Sequence, residues 1–200
     1  MKTLCFAALS LVLTLLSPVC GLAQNEKEIR QVKKMAKAEA KSLTRDGYKL
    51  TEIGDLTTEM EKYLTETLRG KKQLVGISGA CVSANLAKIT AQNNAINEFV
   101  NLSGGMVKAR ITSDMSDVDG VQRDDFVAAF ERIVAADIKN EVKFSFSVIR
   151  EHHHEFFVRA YALVDRDAMY KAKTKALEQA LDELGMKEKY GSNISQWAQD

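Results

Sequence analysis

Two runs of strict alternation lie close together in the last third of this chain. Val142, Phe144, Phe146 and Val148 alternate with Lys143, Ser145 and Ser147, and Phe156, Val158, Ala160, Ala162 and Val164 form a second such run. An apolar residue at every second position marks a strand with one buried face, because successive side chains point to opposite sides. The polar segment Glu151-His152-His153-His154-Glu155 joins the runs, so together they predict an antiparallel β-hairpin. A lone hairpin is barely stable in water. The rest of the chain must therefore supply strands to pair with it and helices to cover it.

Upstream, Leu74-Val75-Gly76-Ile77-Ser78-Gly79 predicts a strand, and a long helix follows over about residues 81–101. That helix has two apolar sides. Val82, Leu86, Ile89, Ile96 and Val100 make a large-residue side expected to cover the sheet. Ala84, Ala87, Ala91 and Ala95 make a small-residue stripe expected to let another helix approach. Ser103-Gly104-Gly105 predicts a turn, Met106 to Thr112 a strand, and residues 124–140 a helix with Phe126, Phe130 and Ile133 inward. Residues 168–184 predict a last helix, capped by Asp165 or Asp167 and stopped by Gly185. The order over 73–190 is β-α-β-α-β-β-α. This makes the fold class α+β: a largely antiparallel sheet of about four strands packed by helices.

Before this core comes an expected helical arm, residues 24–72. Ile29, Val32, Ala36, Ala40 and Leu43 fall on one side of a helix over 25–45 that Gly47 ends. Tyr48 to Ile53 predicts a short strand, Leu56 to Leu68 a second helix, and Arg69-Gly70-Lys71-Lys72 a turn. A tail at 191–200 carries the only tryptophan, Trp197.

The first 23 residues follow the order of a secretory signal: charged Lys2, an apolar run from Leu4 to Leu16, then Gly21 and Ala23 at −3 and −1 of a cut before Gln24. The run is shorter than the ~20 residues of a membrane-spanning helix. The alternative processing is acylation of Cys20 behind Ser17-Pro18-Val19, which would tie the protein to a membrane. Cleavage removes Lys2, Cys5, Cys20 and the only proline, Pro18. The mature chain then has zero net charge, giving no reason to expect nucleic acid. It keeps one cysteine, Cys81, expected as a small buried residue. A single cysteine in an exported chain fits a bacterial periplasmic or surface protein better than a disulfide-rich secreted domain.

The strand, turn and alanine-spaced helix of Val75–Val100, with Ala84-Asn85-Leu86-Ala87 at its centre, and the run Glu155-Phe156-Phe157-Val158-Arg159-Ala160-Tyr161-Ala162-Leu163-Val164 give a resemblance. Over about residues 73–185 the chain resembles the exported twenty-kilodalton lipoprotein family of Gram-negative bacteria. The resemblance implies a periplasmic or membrane-associated α+β protein with no established enzymatic activity, which sometimes self-associates. It supplies no functional residue.

Two clusters are candidate sites. His152, His153 and His154 are the only histidines, and imidazole binds zinc, copper and nickel, so they are the candidate metal ligands. Arg30, Lys34, Lys37, Lys41 and Arg45 form a basic stripe along the first helix, suited to anionic lipid or surface polysaccharide. The loop Asp114-Met115-Ser116-Asp117-Val118-Asp119-Gly120 fails as an EF-hand, since Met115 and Phe126 fall where ligands are needed. It reads as an acidic loop capping the next helix through Asp124. Gly76-Ile77-Ser78-Gly79 lacks the fifth-position glycine of a nucleophile elbow, and no phosphate-binding loop is present. The expectation is therefore a non-enzymatic exported module with no cofactor. Its partner is an unidentified envelope protein or a second copy, and the alternative is a metal- or anion-binding protein of the periplasm or surface.

Overall fold

The computed structural model describes residues 23–199. The expected signal segment up to residue 22, including Cys20, lies outside them. The hairpin forms: β3 (Lys143–His152) pairs antiparallel with β4 (Glu155–Asp165). β2 (Lys71–Ile77) adds beside β4, and the two-residue β1 (Lys49–Leu50) adds beside β3. The sheet is antiparallel throughout, in the order β1-β3-β4-β2, and the fold is α+β.

One irregularity changes the reading of β3. Phe144 pairs with Ala162 but Phe146 pairs with Tyr161, so Ser145 is an extra residue. This β-bulge sends the two phenylalanines to opposite faces, where unbroken alternation had put them on one. Phe146 is buried and Phe144 is partly exposed.

β4 is apolar on both sides, and each side is covered by helices. Its Tyr161 and Leu163, with Phe146 and Val148 of β3, pack against α1 (Ala23–Arg45) and α2 (Leu56–Leu68) through Ala36, Leu43, Met60 and Tyr63. The region expected as an arm therefore lies on one face of the sheet and contributes its fourth strand. α1 stops in a Schellman motif. Gly47, at φ +84°, donates to the Thr44 carbonyl, and Tyr48 reaches back to Leu43 at 2.9 Å. The same motif ends α5 (Arg166–Glu183) at Gly185, where Met186 donates to Leu181 at 2.8 Å. Asp165 takes the N-cap position of α5 but makes no side-chain cap hydrogen bond.

The opposite face carries the largest correction. The expected turn at Ser103–Gly105 and strand at Met106–Thr112 are the interior of one helix, α3 (Ala84–Asp114). Ala87, Ala91, Ala95, Phe99, Ser103, Val107 and Ile111 recur every fourth residue, and all are buried. A four-residue step overshoots the 3.6-residue turn by about 40°, so over six steps the seam winds about 240° around the helix. The first half of α3 thus faces the sheet, and the second half faces α4 (Gly120–Ile138). Two adjacent glycines, each costing about 1 kcal/mol in a helix, are outweighed by this burial.

The sides of α3 are also the reverse of the expectation. Ala87 and Ala91 lie on the sheet, against Val158 and Ala160, while Ala84 at the start of the stripe is exposed. The large-residue side faces helices only from Ile96 onward. At its start, Val82, Leu86 and Ile89 are 84%, 47% and 46% exposed. Alanine wins the sheet because β2 presents Gly76 there: a Cβ on Gly76 would stand 1.8 Å from the Ala91 carbonyl oxygen. The observed order from β2 onward is accordingly β-α-α-β-β-α.

The tail is part of the core. After α6 (Lys187–Tyr190) and one 3₁₀ turn (Gly191–Asn193), α7 (Ile194–Trp197) buries Trp197 against Phe126 and Tyr190. The indole Nε1 donates to Asp114 at 2.7 Å, and Arg110 donates to the Gln196 and Trp197 carbonyls at 3.0 Å.

Candidate functional site

The hairpin tip shows what the histidines do locally. His152 ends β3, and His153 and His154 are the two turn residues, both left-handed, at φ 51° and 64°. Two consecutive left-handed residues are what a two-residue hairpin turn demands, and the usual occupants are Asn-Gly. All three histidines are exposed. The His152 and His153 rings lie edge-on at 4.0 Å, but among the described residues no three His, Cys, Asp or Glu side chains are placed to hold a metal ion.

The basic stripe lies where its spacing puts it. Val32, Ala36, Ala40 and Leu43 are buried, while Arg30, Lys34, Lys37, Lys41 and Arg45 are all exposed. Ile29, expected on the buried side, is exposed as well. Arg30 pairs with Glu26 and Arg45 with Asp46, both at the surface. Among the described residues Lys34, Lys37 and Lys41 form no ion pair.

The other polar motifs are consumed by structure. Asp119, rather than Asp124, is the N-cap of α4 and accepts from Gln122 N at 2.8 Å. Asp124 pairs with Lys108 at 2.8 Å. Asp117 accepts from Tyr190 at 2.6 Å and from Lys189, and Lys189 first and Tyr190 second hold its carboxyl down at about 2. Ser78 is buried, and its Oγ accepts from Val158 N at 2.8 Å in place of a ladder bond. Cys81, expected buried, is partly exposed and bridges to Phe156.

The structure adds a site that residue spacing did not single out. On the α1 side of the hairpin, Arg150 of β3 and Arg159 of β4 are diagonal neighbours, since Val148 pairs with Arg159 and Arg150 with Phe157. Both guanidinium carbons approach the Tyr48 ring, at 5.1 and 4.9 Å, and Arg150 also lies 4.8 Å from the Phe157 ring. These are cation–π contacts. They place the two charges within about 10 Å of each other, a repulsion of about 1–2 kcal/mol at an effective dielectric near 20. Among the described residues neither guanidinium has a carboxylate partner. Arg150 reaches only the Asp46 carbonyl, at 3.5 Å, and the Nε of each arginine is buried without an acceptor.

Beside the arginines stands an aromatic cluster. Tyr161 stacks on Phe146 at 4.5 Å and meets Tyr63 edge-on at 5.4 Å. Burial pushes the Tyr161 hydroxyl up to about 12, with the Glu39 charge adding to it, and burial raises Tyr63 as well. Burial lowers Arg159, but its polar interactions with Tyr48 and Tyr161 outweigh that and raise it. The clue in the sequence was β4 itself: Phe157, Tyr161 and Leu163 make its second side as apolar as the first, so Arg159 was bound to lie between aromatic neighbours.

No family model, curated protein or solved structure matches the chain.

Proposed function

We propose that this protein is a non-enzymatic module exported to a bacterial cell envelope, where α1 docks on an anionic membrane surface. The observation that carries this reading is the row Lys34, Lys37 and Lys41, exposed and, among the described residues, without an acidic partner, on a helix whose other side is buried in the fold. Such a helix cannot turn its lysines inward, so they remain available to anionic headgroups. Each lysine near such a surface is worth about 1 kcal/mol, and three together about a hundredfold in affinity. The helix also follows directly on the signal-like segment, so cleavage before Gln24 or acylation at Cys20 would leave it beside the new N-terminus. Ser78 and the loop aspartates are held in structural hydrogen bonds, which supports a binding role over a catalytic one. Among the described residues no helix is long and apolar enough to cross a membrane.

The test is co-sedimentation with phosphatidylglycerol-containing vesicles and with neutral phosphatidylcholine vesicles. The proposal predicts binding to the anionic vesicles that falls steeply as salt rises. Equal binding to both, or none to either, would overturn it.

A further inference from the structure

We propose that Arg150 and Arg159 form a binding site for a small oxyanion, a phosphate or carboxylate group, separate from the basic stripe of α1. The two cations are neighbours on one sheet face, within cation–π distance of the same Tyr48 ring. A guanidinium stacked on a ring uses its flat face, which leaves its N–H edges directed sideways. Arg150 spends one donor on a long contact to the Asp46 carbonyl, at 3.5 Å. With each Nε buried, the terminal N–H groups of the two guanidiniums are the donors left for an oxyanion, which charged N–H donors bind strongly.

Among the described residues no carboxylate forms an ion pair with either arginine. Asp46 pairs with Arg45 at 3.6 Å, Glu39 acts on Tyr161, and Glu155 lies exposed at the hairpin end opposite His152. The face is also open. Ile77, register partner of Arg159 on edge strand β2, is 52% exposed, so the α1–α2 layer stops short of it. The aromatic walls fix both cations before any ligand arrives, so little side-chain ordering is left to oppose binding.

The experiment is an NMR titration of the full-length protein with inorganic pyrophosphate and, separately, with citrate. It follows the arginine Nε–Hε signals at about 0.05 M salt. The proposal predicts saturable shifts at Arg150 and Arg159 with one or both probes, and the responding probe assigns the ligand as phosphate or carboxylate. Arg150→Gln should weaken binding at least about tenfold, as loss of hydrogen bonds to a charged group requires. Arg159→Lys, which keeps the charge and the stack, should weaken it by a smaller factor and guards against a variant that fails to fold. A chain carrying Lys34→Gln, Lys37→Gln and Lys41→Gln should bind as the parent does. No saturable shift with either probe up to about 20 mM, a concentration that would reveal even millimolar affinity, overturns the site. So does binding that survives Arg150→Gln and disappears with the lysine variants.

Discussion

Gly76 of β2 and Ala91 of α3 meet backbone to backbone: a Cβ built on Gly76 would stand 1.8 Å from the Ala91 carbonyl oxygen and 2.4 Å from the Ala95 nitrogen. Neither obstacle is a side chain that can swing aside, so the whole helix would have to lift. Gly76→Ala should therefore destabilise the protein by about 2 kcal/mol or more. Gly104 is the instructive contrast. Its Cβ would meet the Glu131 side chain, which is free to move, and alanine favours the helix by about 1 kcal/mol. Thermal unfolding of the two variants should show a fall of several degrees for Gly76→Ala and little change or a rise for Gly104→Ala.

Trp197 is the keystone of the C-terminal segment. It packs on Phe126 and Tyr190 and ties α7 to the end of α3 through Asp114. Trp197→Ala should cost about 3–5 kcal/mol. Urea unfolding checks this, and a loss below about 1 kcal/mol would mean that the tail is not part of the core.

Much of the fold was legible because local signals agreed with one another. Alternation announced the β3–β4 hairpin, and Gly47 and Gly185 marked the ends of α1 and α5. The second helix forms over Leu56–Leu68 as expected. Two things were hidden for physical reasons. Gly104–Gly105 imitates a turn, and only the four-residue seam running from Ala87 to Ile111 shows that the helix continues through it. Which side of α3 meets the sheet depends on Gly76, a residue of another element, so no pattern within the helix could decide it. The candidate site was partly visible. The stripe on α1 followed from spacing, but the Arg150–Arg159 pair depends on the hairpin register and on Tyr48, distant in sequence.

Asp117 makes stability depend on acid. Its carboxyl titrates at about 2 in the folded protein, below the ordinary 3.8, because Lys189 and then Tyr190 hold it charged. A lowered folded value contributes stability above the unfolded value, and that contribution is lost as pH falls from about 4 toward 2. Asp117→Asn should be less stable than the parent at pH 6, and the gap should close over that range. Urea midpoints measured from pH 6 downward provide the check. A gap independent of pH would show that the charge plays no part.

The left-handed His153 and His154 hold the hairpin turn at a conformational cost. Replacing them with the residues such turns prefer, His153→Asn with His154→Gly, should stabilise the protein by about 1 kcal/mol. An unchanged or lower unfolding temperature would mean that the imidazoles hold the turn by contacts that outweigh the backbone cost.

The most direct test of the proposed role compares the parent with the Lys34→Gln, Lys37→Gln, Lys41→Gln chain on phosphatidylglycerol vesicles at low salt. Loss of three charges near an anionic surface should lower the affinity about a hundredfold while the unfolding temperature stays the same. If the altered chain binds as tightly as the parent, α1 is an ordinary solvated helix and the membrane-docking account is wrong.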